Sequence, residues 1–227
     1  MSSPIVLIFG AGAKVGKSVA QAFGAKGYRL ALASRSQDPS TSTDKELHIP
    51  TDLSDTDSVI QAFTKVRSEF GHPTSSSTTA TYHGGQNDPN DIFEVPLDSF
   101  KTSGAVNIFS AYDAAQEAVK GWKDFPKDSN LTYIYTGNIE NEMRIPSIMS
   151  LGVGKAAAAW FIEVAATSYK DQGFKFYYAD ERKEDGTPMY SGATGEGHAQ
   201  FYVELAEGKE QQVWQQTFVS GQGYKKF

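Results

Sequence analysis

The sequence contains no cysteine, and this absence removes several classes of protein from consideration. Without thiols the chain has no disulfides, no thiolate metal site and no cysteine nucleophile. Its 4 scattered histidines suggest no metal site either. No run approaches the roughly 18 apolar residues of a membrane span, and the first residues lack the basic and apolar regions of a signal peptide. We therefore expect a cytoplasmic protein with no membrane partner.

The chain also has fewer basic than acidic residues. The chain has 21 Lys and Arg against 27 Asp and Glu, a formal net charge of −6, and its basic residues form no stripe that could follow a phosphate backbone. A nucleic-acid partner is therefore not expected. With 227 residues, 39% of them hydrophobic, the chain can bury a sizeable core unaided. Chemistry on a small-molecule substrate is the leading class of function.

Short apolar runs alternate with segments of helical periodicity along most of the chain. The first run is Ile5–Phe9, and a more polar fourth strand is expected at residues 78–82. Such alternation predicts an α/β fold: a Rossmann-like, doubly wound parallel sheet with helices on both faces, in three α/β/α layers. We expect one domain over residues 1–227, in which residues 180–227 form a substrate-side loop, a helix and a C-terminal tail.

A glycine-rich turn follows the first strand. Gly10, Gly12 and Gly16 can bring backbone N–H groups and the positive end of a helix dipole to a pyrophosphate. The spacing departs from both common patterns, which would require glycine at Val15 or at Lys14. A tight turn without a ligand therefore stays open as an alternative.

The second strand ends in Ser34 and Arg35, where an adenosine ribose is read in this type of fold. A guanidinium pairs with a 2′-phosphate, whereas it cannot accept a hydrogen bond from a 2′-hydroxyl. Arg35 therefore favours NADP(H) over NAD(H), although a solvated arginine at a strand end is also consistent with the sequence.

Together these motifs resemble the short-chain dehydrogenase/reductase family over nearly the whole chain. Asp52 and Leu53 stand where that family has an aspartate over the adenine, and His83 and Gly84 stand within the segment that matches its Asn-Asn-Ala-Gly. Asn107 matches its helix asparagine. The resemblance implies a cofactor site made of the residues Gly10, Gly12, Lys14, Val15, Gly16, Ser34, Arg35, Asp52, Leu53, His83, Gly84 and Lys155.

The chain departs from the family at the catalytic residues. Lys155 matches the lysine of Tyr-x-x-x-Lys, but Leu151 stands at the tyrosine position and Asn138 at the serine position. The family's tyrosine passes a proton to or from the substrate oxygen, which leucine cannot do. The nearest resemblance is to a fungal branch that lacks this tyrosine, some of whose members look like NADPH-dependent reductases of alkaloid assembly.

The loss of the tyrosine favours an acceptor that needs no proton. Reduction of an iminium gives a neutral amine directly, whereas a carbonyl needs a replacement acid. Candidates for that acid lie at the end of the sixth strand: Asp180, and either Tyr177 or Tyr178, since strand alternation lets at most one tyrosine face the cleft. Tyr178 is preferred, and the catalytic set then also includes Lys155, Asn107 and Asn138. The mixed charges after Asp180 are also typical of a solvated loop, and His198 is either an acid/base over the site or a cap or surface residue.

Two other functions stay open on the same fold. One is a non-redox isomerase, lyase or cyclase, and the other is an NADP(H)-binding protein whose catalytic residues have decayed. The helix after residue 150 is apolar around most of its circumference. This pattern predicts a homodimer or homotetramer, or else coverage by the chain's own aromatic tail, which carries Trp214, Phe218, Tyr224 and Phe227.

Overall fold

The computed structural model describes residues 3–82 and 84–227. Its strands are β1 (Ile5–Phe9), β2 (Arg29–Ser34), β3 (Glu46–Pro50), β4 (Ser75–Thr78), β5 (Leu131–Thr136), β6 (Phe174–Glu181), β7 (Gln215–Val219) and β8 (Gly223–Tyr224). Its helices are α1 (Val15–Ala25), α2 (Asp57–Glu69), α3 (Leu97–Gly104), α4 (Ser110–Trp122), α5 (Met149–Ser168) and α6 (Gly195–Glu207).

These strands form one sheet in the order β3-β2-β1-β4-β5-β6-β7-β8. Neighbouring strands run parallel except β7 and β8, which are antiparallel. The order reverses between β1 and β4, and this switch point opens a crevice at the carboxyl ends of both strands. The predicted doubly wound α/β sheet is confirmed.

Helices cover both faces of the sheet, and the alternation of strand side chains divides the core in two. Leu7, Tyr133 and Tyr178 face α2, α4 and α5. Ile8 and Tyr177 face α1 and α6 instead. The tyrosines of β6 therefore point to opposite faces, as period-two alternation requires.

The fourth strand lies a few residues earlier than predicted. It is the serine segment Ser75–Thr78, buried between β1 and β5, and the expected residues 79–82 form a loop at its carboxyl end. Small side chains suit a central position flanked by large ones. The hydroxyls of Ser76 and Ser77 lie buried without a hydrogen-bond partner among the described residues.

The C-terminal part is more regular than predicted. The sixth strand continues through Asp180 to Glu181 because β7 pairs alongside it, and the tail forms β7 and β8. Phe218 stacks on Phe201 of α6, on the opposite face of the sheet from α5. Trp214 packs on the other face, against Tyr178 of the core on the α5 side. The tail nevertheless leaves the outer face of α5 open, where Trp160 is 72% exposed.

The segment Pro146–Ser168, which contains α5, is long and apolar enough to cross a membrane by length and composition alone. Leu151, Ala158 and Ile162 on this helix are buried inside the protein. The same composition is typical of a core helix packed between a sheet and a further surface.

Candidate active site

The glycine turn after β1 is shaped by two close approaches of the backbone. Gly10 has a φ of +82°, and a Cβ there would lie 2.5 Å from the backbone nitrogen of Ala80. A Cβ on Gly16 would lie 2.4 Å from the carbonyl oxygen of Gly10. Both positions therefore require glycine, whereas a Cβ on Gly12 would meet only the Gly10 carbonyl oxygen, at 3.9 Å, which is an ordinary contact. The turn after β1 therefore packs closely against the loop after β4, at the switch point of the sheet.

The first turn of α1 offers free donors to an anion. Lys14 is the exposed N-cap residue, Val15 opens the helix, and the first turn holds no acidic residue. Among the described residues, the backbone N–H groups of Ala13 and Lys14 meet no acceptor. Free N–H groups at the positive end of a helix dipole are the features that bind phosphate.

The carboxyl end of β2 forms the next part of the site. The side-chain amide of Gln37 donates to the carbonyl of Ala11 at 3.0 Å and to the hydroxyl of Ser34 at 3.1 Å, which ties the end of β2 to the glycine turn. Arg35 is exposed beside them and forms no ion pair within the described ranges. Its guanidinium is therefore available to a ligand.

Asp52 and Leu53 follow the end of β3. Asp52 accepts hydrogen bonds from the backbone and hydroxyl of Ser54 at 2.9 and 2.8 Å, and these bonds hold the pKa of its carboxyl below the usual value. The Leu53 carbonyl accepts from the Ser110 hydroxyl at 2.7 Å. Both residues are thus fixed at the rim of the crevice.

A cleft of about 490 Å³ runs through these parts. It passes from the ends of β2 and β3 across the glycine turn to the loop after β4. Its lining includes Gly10, Gly12, Ser34, Arg35, Asp52, Leu53, Ala80, Thr81 and Tyr82.

Asn107 lies in a π-helical segment, Ala105–Phe109, between α3 and α4. Its side-chain amide donates to the Tyr82 carbonyl at 2.8 Å and to the Ser103 carbonyl at 3.0 Å, while its own main-chain carbonyl accepts from the Tyr135 hydroxyl at 3.1 Å. Asn107 therefore joins α3 to the loop after β4. Gly84 approaches Ser150 at the start of α5, on the same side of the crevice.

Lys155 reaches from α5 to the edge of the cleft. Its ammonium donates to the Thr136 carbonyl at 2.9 Å and to the Thr81 hydroxyl at 3.1 Å, above the ring of Tyr135. Burial lowers the pKa of Lys155 to about 8, although the charges of Glu140 and Asp180 raise it. Leu151, one turn earlier, is buried and brings no acid or base to this place.

Asn138 is held rigidly at the end of β5. Its side-chain oxygen accepts from the backbone of Glu140 at 3.0 Å, and its amide nitrogen donates to the Glu140 carboxylate at 3.1 Å. The Tyr178 hydroxyl donates to the Asn138 carbonyl at 2.7 Å and accepts from its N–H at 3.1 Å. These two hydrogen bonds hold the backbone of Asn138 in place. Burial raises the pKa of Tyr178 well above its usual value.

The charges at the end of β6 are buried rather than solvated. Asp180 and Arg182 form an ion pair, and the exposed Glu142 lies 3.5 Å from the same guanidinium. Burial raises the pKa of Asp180 to about 6 against the charge of Arg182. The interpretation of residues 180–185 as a solvated loop is therefore wrong for Asp180, Glu181 and Arg182, because β7 and α6 pack over them.

His198 also lies inside the protein, on the first turns of α6. Its Nδ1 lies 2.7 Å from the carbonyl oxygen of Thr194 and 3.3 Å from the Glu181 carboxylate. It is therefore neither a surface residue nor a group open to the cleft.

The structure thus brings most of the predicted residues to one edge of the sheet. Six of the residues predicted for the cofactor line one cleft: Gly10, Gly12, Ser34, Arg35, Asp52 and Leu53. Lys155 and Asn107 are hydrogen-bonded to Thr81 and Tyr82 of its lining. His83 lies outside the described residues. Sequence reasoning missed Glu140 and Thr81. Glu140 follows Asn138 by two residues, which is the spacing at which an Asn side chain caps a turn, and this was the available signal.

Comparison with known proteins agrees with this geometry. A family model described as short chain dehydrogenase matches residues 4–179. A protein from Cryptosporiopsis sp. (strain 8999), named short chain dehydrogenase/reductase dmxR12, is 40% identical over 241 residues, covering 100% of this chain and 96% of its own.

Solved structures resemble the fold at low identity. A mutant form of a Serratia marcescens short-chain dehydrogenase/reductase has a TM-score of 0.79 at 18% identity, with 97% of each chain covered. A Brucella melitensis 3-ketoacyl-(acyl-carrier-protein) reductase complexed with NADH has a TM-score of 0.79 at 14% identity, with 96% of each chain covered. A metagenomic short-chain oxidoreductase in complex with NADP has a TM-score of 0.78 at 14% identity, covering 96% of this chain and 98% of its own. From its sequence, its cleft and these relatives, the chain belongs to the short-chain dehydrogenase/reductase family of oxidoreductases.

Proposed function

We propose that this protein is a cytoplasmic NADP(H)-dependent reductase that transfers hydride to a small organic acceptor, with an iminium preferred over a carbonyl. The observation that carries the proposal is a cleft of about 490 Å³ at the switch point of the sheet, together with a buried Leu151 at the tyrosine position. The cleft supports cofactor binding. The leucine supports an acceptor that needs no proton.

The described residues fit a dinucleotide. Gly10 and Gly16 keep the backbone close where a side chain would fill the turn, and the free N–H groups at the start of α1 can receive a pyrophosphate. Arg35 and Ser34 would hold a 2′-phosphate, and Asp52 and Leu53 would border the adenine. Val15, Gly12 and Lys14 would contact the phosphates, with Gly84 at the nicotinamide end. From the sequence alone, we propose that His83 also contacts the cofactor at its nicotinamide end.

Lys155 links this cleft to the reacting end. Thr81 lines the cleft and accepts a hydrogen bond from the Lys155 ammonium, so the lysine can reach a ribose hydroxyl bound there. When bound, the reduced nicotinamide would supply the hydride. Lys155 and Asn107 would orient the groups around it.

Leu151 decides which acceptors can react. A ketone becomes an alkoxide on hydride addition and needs a proton. Leu151 has none to give, and the Tyr178 hydroxyl is engaged with the Asn138 carbonyl and has a raised pKa. Asp180 is buried and paired with Arg182, and we propose a supporting role for its charge. An iminium accepts hydride and becomes a neutral amine with no proton transfer.

A pair of acceptors with matched shapes tests the proposal. NADPH oxidation would be followed with N-methyl-3,4-dihydroisoquinolinium and with 1-tetralone, using deuterated NADPH to trace the hydride. We expect turnover of the cation and little of the ketone. Leu151→Tyr should add ketone turnover, whereas Leu151→Phe, which has the ring without the hydroxyl, should not. Faster ketone than iminium reduction by the unmodified protein would contradict the proposal.

A second candidate function is non-redox proton chemistry on the same fold. The raised pKa of Asp180, about 6, places a buried carboxyl in the range of a general acid or base. Turnover of an activated substrate with no nicotinamide consumption would favour this candidate. Binding of NADP(H) without turnover of any substrate would favour the third candidate, a nucleotide-binding protein whose catalytic residues have decayed.

A further inference from the structure

Glu140 stands out among the acidic residues of the site. It lies in the short turn Ile139–Asn141 between β5 and α5 and is only 2% exposed. Among the described residues its Oε1 meets no hydrogen-bond donor, and no cation lies within ion-pair distance. Burying a carboxylate with one oxygen unbonded costs folding free energy. A cost of this kind is typical of residues that serve the function of a site.

The bonds between Glu140 and Asn138 fix which way the Asn138 amide faces. The Glu140 N–H can only be met by the side-chain oxygen of Asn138, and the Glu140 carboxylate can only be met by the side-chain nitrogen. One N–H of that amide is left over. Asn138 therefore offers a hydrogen-bond donor at the position where the family has its serine.

The same carboxylate acts on Lys155. Its charge raises the pKa of Lys155 against the effect of burial, ahead of the charge of Asp180 from β6. The other groups around the ammonium are the Thr136 carbonyl and the Tyr135 ring from β5 and the Thr81 hydroxyl. Arg182 and Glu142 act on Asp180 on its far side.

We propose that Glu140 is a positioning residue of this site, which fixes the Asn138 amide with one N–H free for the substrate and places its carboxylate just after the end of β5, where the Lys155 ammonium is bonded to the Thr136 carbonyl. It acts through these two residues and touches neither substrate nor cofactor. The inference rests on the proposed function for its meaning in nucleotide binding. The effects of Glu140 on the Asn138 amide and on Lys155 are measured on the nucleotide-free protein.

Four variants of the full chain separate the two effects. Glu140→Gln keeps an acceptor for the Asn138 amide and removes the charge, whereas Glu140→Ala removes both. Asp180→Asn removes the other charge near Lys155 without touching Asn138. Glu117→Gln is the matched control, because Glu117 is another buried carboxylate, paired with Arg67 and Lys120 on the α2 and α4 side. Thermal unfolding identifies any variant that fails to fold.

Nuclear magnetic resonance of the nucleotide-free protein gives the first readout. We expect the titration midpoint of Lys155 to fall by roughly one pH unit in Glu140→Gln and to stay unchanged in Glu117→Gln. The side-chain amide resonances of Asn138 should move in Glu140→Ala and stay nearly in place in Asp180→Asn. An unchanged Lys155 midpoint in a folded Glu140→Gln, or unchanged Asn138 resonances in a folded Glu140→Ala, would overturn the inference.

NADPH affinity against pH is the second readout. Affinity should fall as Lys155 loses its proton, and the midpoint of that fall should move in Glu140→Gln by the same amount as the lysine titration. A midpoint that stays fixed while the lysine titration moves would overturn the link to binding. If the unmodified protein binds no NADPH at any pH, the proposed function fails while the resonance result still stands.

Discussion

In the proposed function, Leu151 is the residue that most restricts the chemistry of the site. It occupies the first turn of α5, buried, one turn before Lys155. An aliphatic side chain there leaves Lys155 with no phenol whose pKa it could lower. The proposed function therefore combines a cofactor cleft that keeps part of the family's pattern with a tyrosine position that carries no proton donor.

We propose that Arg35 gives the cleft a preference for a phosphorylated ribose. Arg35→Ala should weaken NADPH binding by about 1.5–3 kcal/mol, because a charge-assisted pair with the 2′-phosphate is lost, and should leave NADH binding nearly unchanged. Titration calorimetry with both nucleotides measures the difference. Equal losses for the two would contradict the assignment of Arg35 to the 2′-phosphate.

Asp180 should make stability depend on pH in a defined window. Its pKa is raised by burial from 3.8 to about 6, so between these values the folded protein retains a proton that the unfolded chain releases. The contribution of Asp180 to stability therefore falls as pH rises through this window, by roughly 2 kcal/mol from pH 4.5 to 6.5.

Asp180→Asn lacks this titration. Urea unfolding at both pH values should therefore show the native protein losing stability relative to Asp180→Asn as the pH rises. A difference between the two proteins that does not change with pH would show that Asp180 has an ordinary pKa in the folded state.

At the scale of elements, the strands with apolar sequences were predictable and the polar ones were not. Ile5–Phe9 is apolar throughout, which fits a strand covered on both faces. The serines of β4 have the composition of a loop, and only their position between two helices marks them as a strand. Asp180 and Glu181 likewise depend on β7, a partner about 35 residues later, which local sequence cannot reveal.

The hydroxyls of β4 give a direct test of this arrangement. Ser77→Ala removes a buried hydroxyl that has no hydrogen-bond partner among the described residues, and should stabilise the fold by about 1 kcal/mol. Thr78→Val is the matched control, because the Thr78 hydroxyl is bonded to the Tyr133 hydroxyl at 2.8 Å. That change should destabilise by about 1–2 kcal/mol.

Chemical denaturation of both variants measures the two free energies of unfolding. If Ser77→Ala destabilises the protein as much as Thr78→Val, then Ser77 has a partner in solution and the account of β4 is wrong.

For the whole molecule, the order of elements alone predicted the sheet, because βα repeats have few compact solutions. It also placed the cleft, since the switch point follows from that order. The residues around Lys155 were predicted only in part. Glu140 and Thr81 are brought there by the connections after β5 and β4, whose paths depend on tertiary packing.

The family is typically oligomeric, and we propose a homodimer or homotetramer for this chain. Trp160 is 72% exposed, and it shares the α4 and α5 side of the molecule with exposed Phe109, Tyr112 and Val164. Trp160→Glu should therefore shift the protein to a monomer, because a charge would be buried in the contact. Phe93→Glu, at a residue 86% exposed on the loop before α3, is the control.

Analytical ultracentrifugation gives the mass of each variant. An unmodified protein that sediments as a monomer would contradict the proposed oligomer. A Trp160→Glu variant that keeps the mass of the unmodified oligomer would place the contact elsewhere.

Equilibrium titration tests most directly whether the cleft binds NADP(H). The purified protein would be titrated with NADPH and with NADH, and binding followed by quenching of tryptophan fluorescence. We predict saturable binding at micromolar concentration with a strong preference for NADPH. No binding of either nucleotide, or equal binding of both, would contradict the account.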